Sequence, residues 1–325
     1  MSNKSFSSWL KSGSPWVWLN AGAVSISLVM VVGLLSLIAV RGLSHFWPAD
    51  LMAVTYTEPG KEAVILVGEK IDTEEVSAQQ LSRTGVVLPD GQASAKRILL
   101  KVGNRDYFGL DFRWVNQPWI GEITYPQALL SIERREWGHF YGRLLSVKQQ
   151  GEIVVSGEDA YQELQLRLKR SNKLVSEIKA LEKGEIGKIN AGLEEIRLER
   201  RKLELREVPK ASIQYAELIE SEKLLDVSYK ALQQNLAELY QALNRDQMMV
   251  VMSDGREVEI PFAKVVEVYQ PNAMNLFEKF GVYFHELWKF VSGDPREANT
   301  EGGVFPAIFG TVMMVMIHRS KLSKE

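Results

Sequence analysis

Residue types that perform catalysis are sparse in this chain and badly spaced for it. The four histidines, His45, His139, His285 and His318, stand far apart, and none belongs to a metal-ligand motif. No Gly-x-Ser-x-Gly nucleophile elbow occurs. Cysteine is absent, which excludes disulfides and thiolate metal sites. Gly184-Glu185-Ile186-Gly187-Lys188-Ile189 faintly resembles a phosphate loop, but that motif needs glycine where Glu182 stands and Ser or Thr where Ile189 stands. Carboxylate pairs such as Glu74-Glu75 are expected by chance among 41 acidic residues. The residues therefore point away from an enzyme: no catalytic, cofactor-binding or metal residue is assigned, no cofactor is implied, and substrate-binding residues are unknown. A net charge of -2 does not suit a nucleic-acid partner, and 46% apolar residues support folded cores.

The strongest patterns are apolar. Residues 17–40 form 24 positions without a charge, about 36 Å as a helix and long enough to span a bilayer with some tilt. Trp9, Trp16 and Trp18 at one end and Phe46 and Trp47 at the other suit an interfacial aromatic belt. A cleaved signal peptide would have a shorter apolar core followed by a small-x-small site, whereas Leu37-Ile38-Ala39-Val40-Arg41 stands here. An uncleaved transmembrane helix is therefore expected. A second apolar run, 304–317, is 14 residues long, short of the roughly 20 needed to cross. Lys4 and Lys11 precede the first run, and His318, Arg319, Lys321 and Lys324 follow the last. The positive-inside rule places both ends in the cytoplasm, and 41–303 outside the inner membrane of a bacterium, in the periplasm.

The outside region divides by period. Residues 41–156 and 248–273 read as a β-rich domain, from the runs 63–67, 97–102, 106–115, 152–155, 248–252, 257–260 and 265–269, with turns at Pro89-Asp90-Gly91 and Ser253-Asp254-Gly255. Tyr107, Phe108, Phe112, Trp114, Trp119, Trp137, Phe140 and Tyr141 are better read as sheet core than as a stacking platform for ligands. Residues 157–247 carry helical spacing. Leu164, Leu168, Val175, Ile178, Ile189, Leu193, Ile196 and Leu203 fall mostly three, four or seven apart, Pro209 breaks the run, and Leu218, Leu225, Tyr229, Leu232, Leu236, Leu239 and Leu243 form a heptad seam with Glu222 as its one polar member. This predicts an inserted antiparallel coiled-coil hairpin whose burial depends little on the sheet, with either self-packing or a partner-binding tip as its use. Arg197, Arg200, Arg201, Lys202 and Arg206, interleaved with glutamates, read as a solvated face. Residues 274–303 are amphipathic. Their aromatic face suits either a helix lying in the membrane interface or one packed on the β domain.

The fold class so predicted is α+β and membrane-anchored: a cytoplasmic N-terminus (1–16), one transmembrane helix, a periplasmic β-rich domain with the inserted hairpin, and the start of a second transmembrane helix. Gln270-Pro271-Asn272-Ala273-Met274 and Val291-Ser292-Gly293-Asp294-Pro295-Arg296-Glu297-Ala298-Asn299-Thr300-Glu301-Gly302-Gly303-Val304-Phe305-Pro306-Ala307-Ile308-Phe309-Gly310-Thr311 resemble the membrane re-entry of the long form of the permease subunit (PstA type) of bacterial phosphate ABC transporters. The resemblance implies a role in phosphate import. The implied partners are a second permease subunit, a cytoplasmic ATPase and a periplasmic phosphate-binding protein. It also implies further helices and a cytoplasmic coupling loop, whereas 316–325 turns polar; the chain is expected to be the front portion of such a subunit, a truncated or frame-shifted product or one piece of a longer subunit that lacks most of the translocation core, and no phosphate-pathway residue is carried over. The alternatives from a different class are a periplasmic adaptor with a coiled-coil hairpin and an envelope scaffold.

Overall fold

The structure is a computed structural model and describes residues 13–83, 85, 86, 88, 92–293 and 303–322. Trp9, Lys4, Lys11, the Pro89-Asp90-Gly91 turn, residues 294–302 and Lys324 lie outside the described residues. The fold is α+β, and the chain divides into two units. Among the described residues one comprises 13–48, 274–293 and 303–322, and the other 49–273.

Helix α1 (Ser14–Ser44) exceeds the predicted 17–40 by about a turn at its C-terminal end, because nothing in Arg41-Gly42-Leu43-Ser44 breaks a helix. Its stretch Trp16–Ser44 is the one helix among the described residues that is long and apolar enough to cross a membrane, and its side chains are exposed.

The second unit holds two antiparallel sheets. The first has the order β4-β3-β2-β1-β5, built from β1 (Leu51–Tyr56), β2 (Val64–Ser77), β3 (Ser94–Lys101), β4 (Phe112–Asn116) and β5 (Ile120–Thr124). Two short helices, α2 (Ala78–Ser82) and α3 (Arg105–Phe108), interrupt it in sequence. The second sheet has the order β10-β9-β7-β6-β11, with β8 beside β7. Its strands are β6 (Leu129–Arg134), β7 (His139–Gln149), β8 (Glu152–Ser156), β9 (Asp246–Val251), β10 (Glu257–Pro261) and β11 (Val265–Tyr269). The Ser253-Asp254-Gly255 hairpin forms where expected, joining β9 to β10 with Val251 opposite Glu257 and Gly255 at φ 84°.

One predicted strand is corrected. Residues 106–115 do not run as a strand, because Gly103, Asn104 and Gly109 all adopt the left-handed region and cut the segment into α3 and β4. Asn104 tolerates that conformation because its side chain is used. Its Nδ2 donates to Tyr141 O at 3.0 Å and its Oδ1 accepts from Tyr141 N at 2.7 Å, so one side chain imitates a strand partner for β7. The aromatic cluster divides as well. Phe140 and Tyr141 are buried, while Tyr107, Phe112 and Trp137 are exposed, the last in a turn at φ 70°.

Between β8 and β9 come α4 (Ala160–Leu181), a π turn (Glu182–Ile186), α5 (Gly187–Leu205) and α6 (Ile213–Leu243). As numbers rise on the first arm, partners fall on the second. Arg170 Nη1 donates to Ala242 O at 3.5 Å, Tyr240 Oη donates to Glu182 Oε1 at 2.8 Å, Gly192 faces Leu225, and Arg200 Nη2 donates to Glu222 Oε2 at 2.5 Å. The arms therefore run antiparallel. The polar member of the second seam, Glu222, is satisfied from across it, and the gap between Ile178 and Ile189 in the first is where the helix opens into the π turn. The expectation that this insertion buries little against the sheet is corrected. Leu164 and Leu168 of α4 sit in one core with Leu130, Ile132, Phe140, Val147, Met248 and Val250, so the first turns of the arm complete the second sheet.

Helix α7 (Leu276–Ser292) starts with a full capping box: Asn275 Oδ1 accepts from Glu278 N at 3.0 Å, and Glu278 Oε2 accepts from Asn275 N at 2.9 Å. Helix α8 (Phe305–Leu322) contains the shorter apolar segment Ala307–His318.

Candidate functional site

The residues singled out for chemistry do not assemble into a reaction centre among the described residues. His45 caps α1 and contacts Phe46 edge-on, His139 opens β7 and stacks on Tyr141, His285 lies in α7 and His318 in α8. Glu74 pairs with Arg97 across β2 and β3 at 2.8 Å, and Glu75 accepts from Ser94 Oγ, so both carboxylates serve sheet register. Gly184 to Lys188 are helical and make no phosphate cradle.

What the fold does assemble is a set of junctions. The first lies where the chain enters and leaves the β unit. Asn272, within the Gln-Pro-Asn wording, follows β11 and reaches back to the start of β1: its Oδ1 accepts from Leu51 N at 2.8 Å, and its Nδ2 donates to Leu51 O at 2.8 Å and Pro126 O at 2.9 Å. Every hydrogen-bonding direction but one of this amide is used, so the two ends of a long insertion are held side by side.

The second junction joins α7 to α8. Val304 N donates to Phe290 O at 2.9 Å, and the backbones at Gly293 and Gly303 approach so closely that a Cβ at position 303 would collide with Gly293. Gly303 is thus required by its packing on Gly293, and Gly293 by the Lys289 carbonyl oxygen, with which a Cβ there would collide. Trp47 meets Phe280 in the N-terminal half of α7 edge-on at 5.1 Å, and Phe46 meets Phe290 near its C-terminal end at 5.0 Å, so the aromatic residues that follow α1 grip the same helix along its length. Sequence periodicity finds these aromatics. Their pairing needs the fold.

The third lies where the helical arms meet the second sheet. Asp246, buried at the start of β9, accepts from Arg167 Nη1 at 2.6 Å, from Arg170 Nη1 at 2.9 Å, and from Arg245 Nε and Nη2 at 3.0 and 2.9 Å. Arg167 also donates to Glu163 Oε1 at 2.7 Å and Gln149 Oε1 at 2.9 Å. Burial alone would raise the Asp246 carboxyl, but the hydrogen bond from Arg245 and the charges of Arg167 and Arg245 outweigh it and hold it below the ordinary carboxylate value. No sequence signal marks Asp246, since nothing in the chain's order places Arg167 beside it.

Between the two sheets lies a cleft of about 500 Å³, lined mainly by apolar and small residues such as Ala53, Ile65, Val67 and Leu129, with Glu122 and Arg143 as its charged groups. The floor at Gly142 admits no side chain, because a Cβ there would stand 2.7 Å from Val251 O. Neither charged residue was marked by the sequence. Neither a protein-family model nor a curated protein nor a solved structure matches this chain.

Proposed function

We propose that this chain is the membrane-entry portion of a permease subunit (PstA type, long form) in a bacterial phosphate ABC import system, a transport component and not an enzyme. In this reading α1 spans the inner membrane from the cytoplasm outward. The β unit and the helical arms, taken as a coiled-coil hairpin, stand in the periplasm, and α8 begins the re-entry into the transport core. A second permease subunit, a cytoplasmic ATPase and a periplasmic phosphate-binding protein are its partners.

The observation that carries this reading is the α7–α8 junction. The re-entry wording includes Gly293 and Gly303, and the close backbone approach at those glycines gives the wording a steric reason. Phosphate itself rests on the resemblance. The test is a chimaera in which residues 1–311 replace the corresponding front portion of an intact long-form permease subunit, expressed in cells lacking the native subunit. Energy-dependent phosphate uptake is expected. Its loss, with the chimaera present in the membrane at native level, would refute the assignment.

A second reading, a periplasmic adaptor or envelope scaffold, is favoured by the turn between the arms, where Leu205 is 73% and Ile213 77% exposed. Photocrosslinkers at these two positions would capture an outer-membrane or secretion partner in that case.

A further inference from the structure

We propose that α7 lies flat in the interface on the periplasmic side of the inner membrane, with its aromatic face in the bilayer and Glu278 and His285 on the side turned to water. The occupant of that face is the lipid surface. The proposal rests on the reading that α1 spans the membrane.

Leu276, Phe277, Phe280, Phe284, Trp288 and Val291 repeat at three- and four-residue steps and so share one side of the helix. They are all exposed, Phe277 at 88%, Trp288 at 69% and Phe284 at 61%. A capped helix that presents this many large rings to water as one stripe has an apolar face without a cover. On the opposite side Glu278 and His285 are exposed, while the Glu286 and Lys289 side chains, 15% and 20% exposed, pair with each other at 2.5 Å.

Two contacts say what the cover is. Trp47 and Phe46 directly follow α1 and pack on Phe280, Tyr283 and Phe290, so α7 is held at the level where the apolar helix ends. The C-terminal end of α7 is also bonded to the residue that directly precedes the apolar helix α8, Val304 N donating to Phe290 O at 2.9 Å. A helix tied to the ends of two apolar helices sits at the depth where hydrocarbon gives way to headgroups. Tryptophan and phenylalanine prefer that depth, their apolar bodies facing the chains. Within α7, Glu278 and Glu286 are matched by Lys279 and Lys289. With no net charge among them, attachment is through apolar burial and does not select anionic lipid.

The chain has no cysteine, so single spin labels are simple to place. The full chain is reconstituted in phosphatidylcholine nanodiscs, and separately with added phosphatidylglycerol. It carries Phe277→Cys, Phe284→Cys or Trp288→Cys on the proposed lipid face, Glu278→Cys or His285→Cys on the water face, and Leu28→Cys within α1. Expected is a ratio of oxygen to nickel-chelate collisions severalfold higher at 277, 284 and 288 than at 278 and 285, unchanged by phosphatidylglycerol. In the unmodified chain, Trp288 should lose hydroxyl-radical oxidation on transfer from mild detergent to nanodiscs, while Tyr125 keeps it.

Free access of the nickel chelate to 277, 284 and 288 while position 28 is lipid-buried would overturn the proposal and leave the anchor standing. Low collision with both reagents at those positions would overturn it in favour of a protein cover. Dependence on phosphatidylglycerol would overturn the apolar basis. Nickel access at position 28 would remove the anchor and the proposal with it.

Discussion

Replacing Asp246 by Asn should loosen the helical arms from the second sheet, and the structure fixes the scale of the effect. The carboxylate is buried, and three guanidinium groups converge on it at 2.6–3.0 Å. Arg170 and Arg245 are partly exposed and can rehydrate when the charge is lost, whereas the Arg167 side chain is 11% exposed and keeps Glu163 and Gln149 alone. Breaking a buried pair from one side costs roughly 3–5 kcal/mol, and rehydration of two of the three arginines places this case near about 3 kcal/mol. At about 2–4 °C per kcal/mol for a unit of this size, the melting midpoint should fall by roughly 6–12 °C.

The assay is denaturation of the full chain in mild detergent, followed by circular dichroism, with hydrogen exchange across β9 and α4 as the local readout. The acid limb provides an independent check. The folded carboxyl titrates below its ordinary value of 3.8, so its stabilisation is complete above that value and is lost as the pH falls through the depressed folded value. Asp246→Asn should flatten this limb. The double variant Asp246→Asn with Arg167→Gln should be less destabilised than the sum of the two single changes. A shift under about 0.5 kcal/mol for Asp246→Asn, the range of an ordinary surface change, would refute the reasoning.

Three further predictions concern Asn272, the helical arms and the orientation in the membrane. Asn272→Ala removes three hydrogen bonds that hold Leu51 and Pro126 and should cost about 1–3 kcal/mol in the same denaturation assay; Asn272→Asp should cost more at neutral pH, because a carboxylate would then face two carbonyl oxygens. Replacing residues 182–232 by a short Gly/Ser linker should preserve a cooperative melt, whereas replacing 158–246 should abolish it, because only the longer cut removes Leu164 and Leu168 from the sheet core; equal behaviour of the two would show that α4 is dispensable to that core. Single cysteines at Ser5, Ser94 and Ser323 should react with an impermeant thiol reagent in intact spheroplasts at position 94 alone, and labelling at position 5 would reverse the proposed orientation.

Much of the architecture was legible in the sequence where a signal is local. An uncharged apolar run of 24 residues forms one continuous helix, because no proline within it interrupts the backbone hydrogen-bond series. The Asp254-Gly255 turn fixed a hairpin, and heptad spacing on either side of Pro209 produced two long helical arms. Tertiary structure decided what depends on residues distant in sequence. It separated the β region into two sheets, since pairing β7 with β9 spans nearly a hundred residues of intervening chain. It drew α4 into the core of one sheet, turned the start of a supposed strand into α3 through a side chain that bonds to Tyr141, and gathered three arginines on Asp246. Periodicity reports which face of an element is apolar. It does not report what that face meets, because burial is decided by partners that only the folded chain brings together.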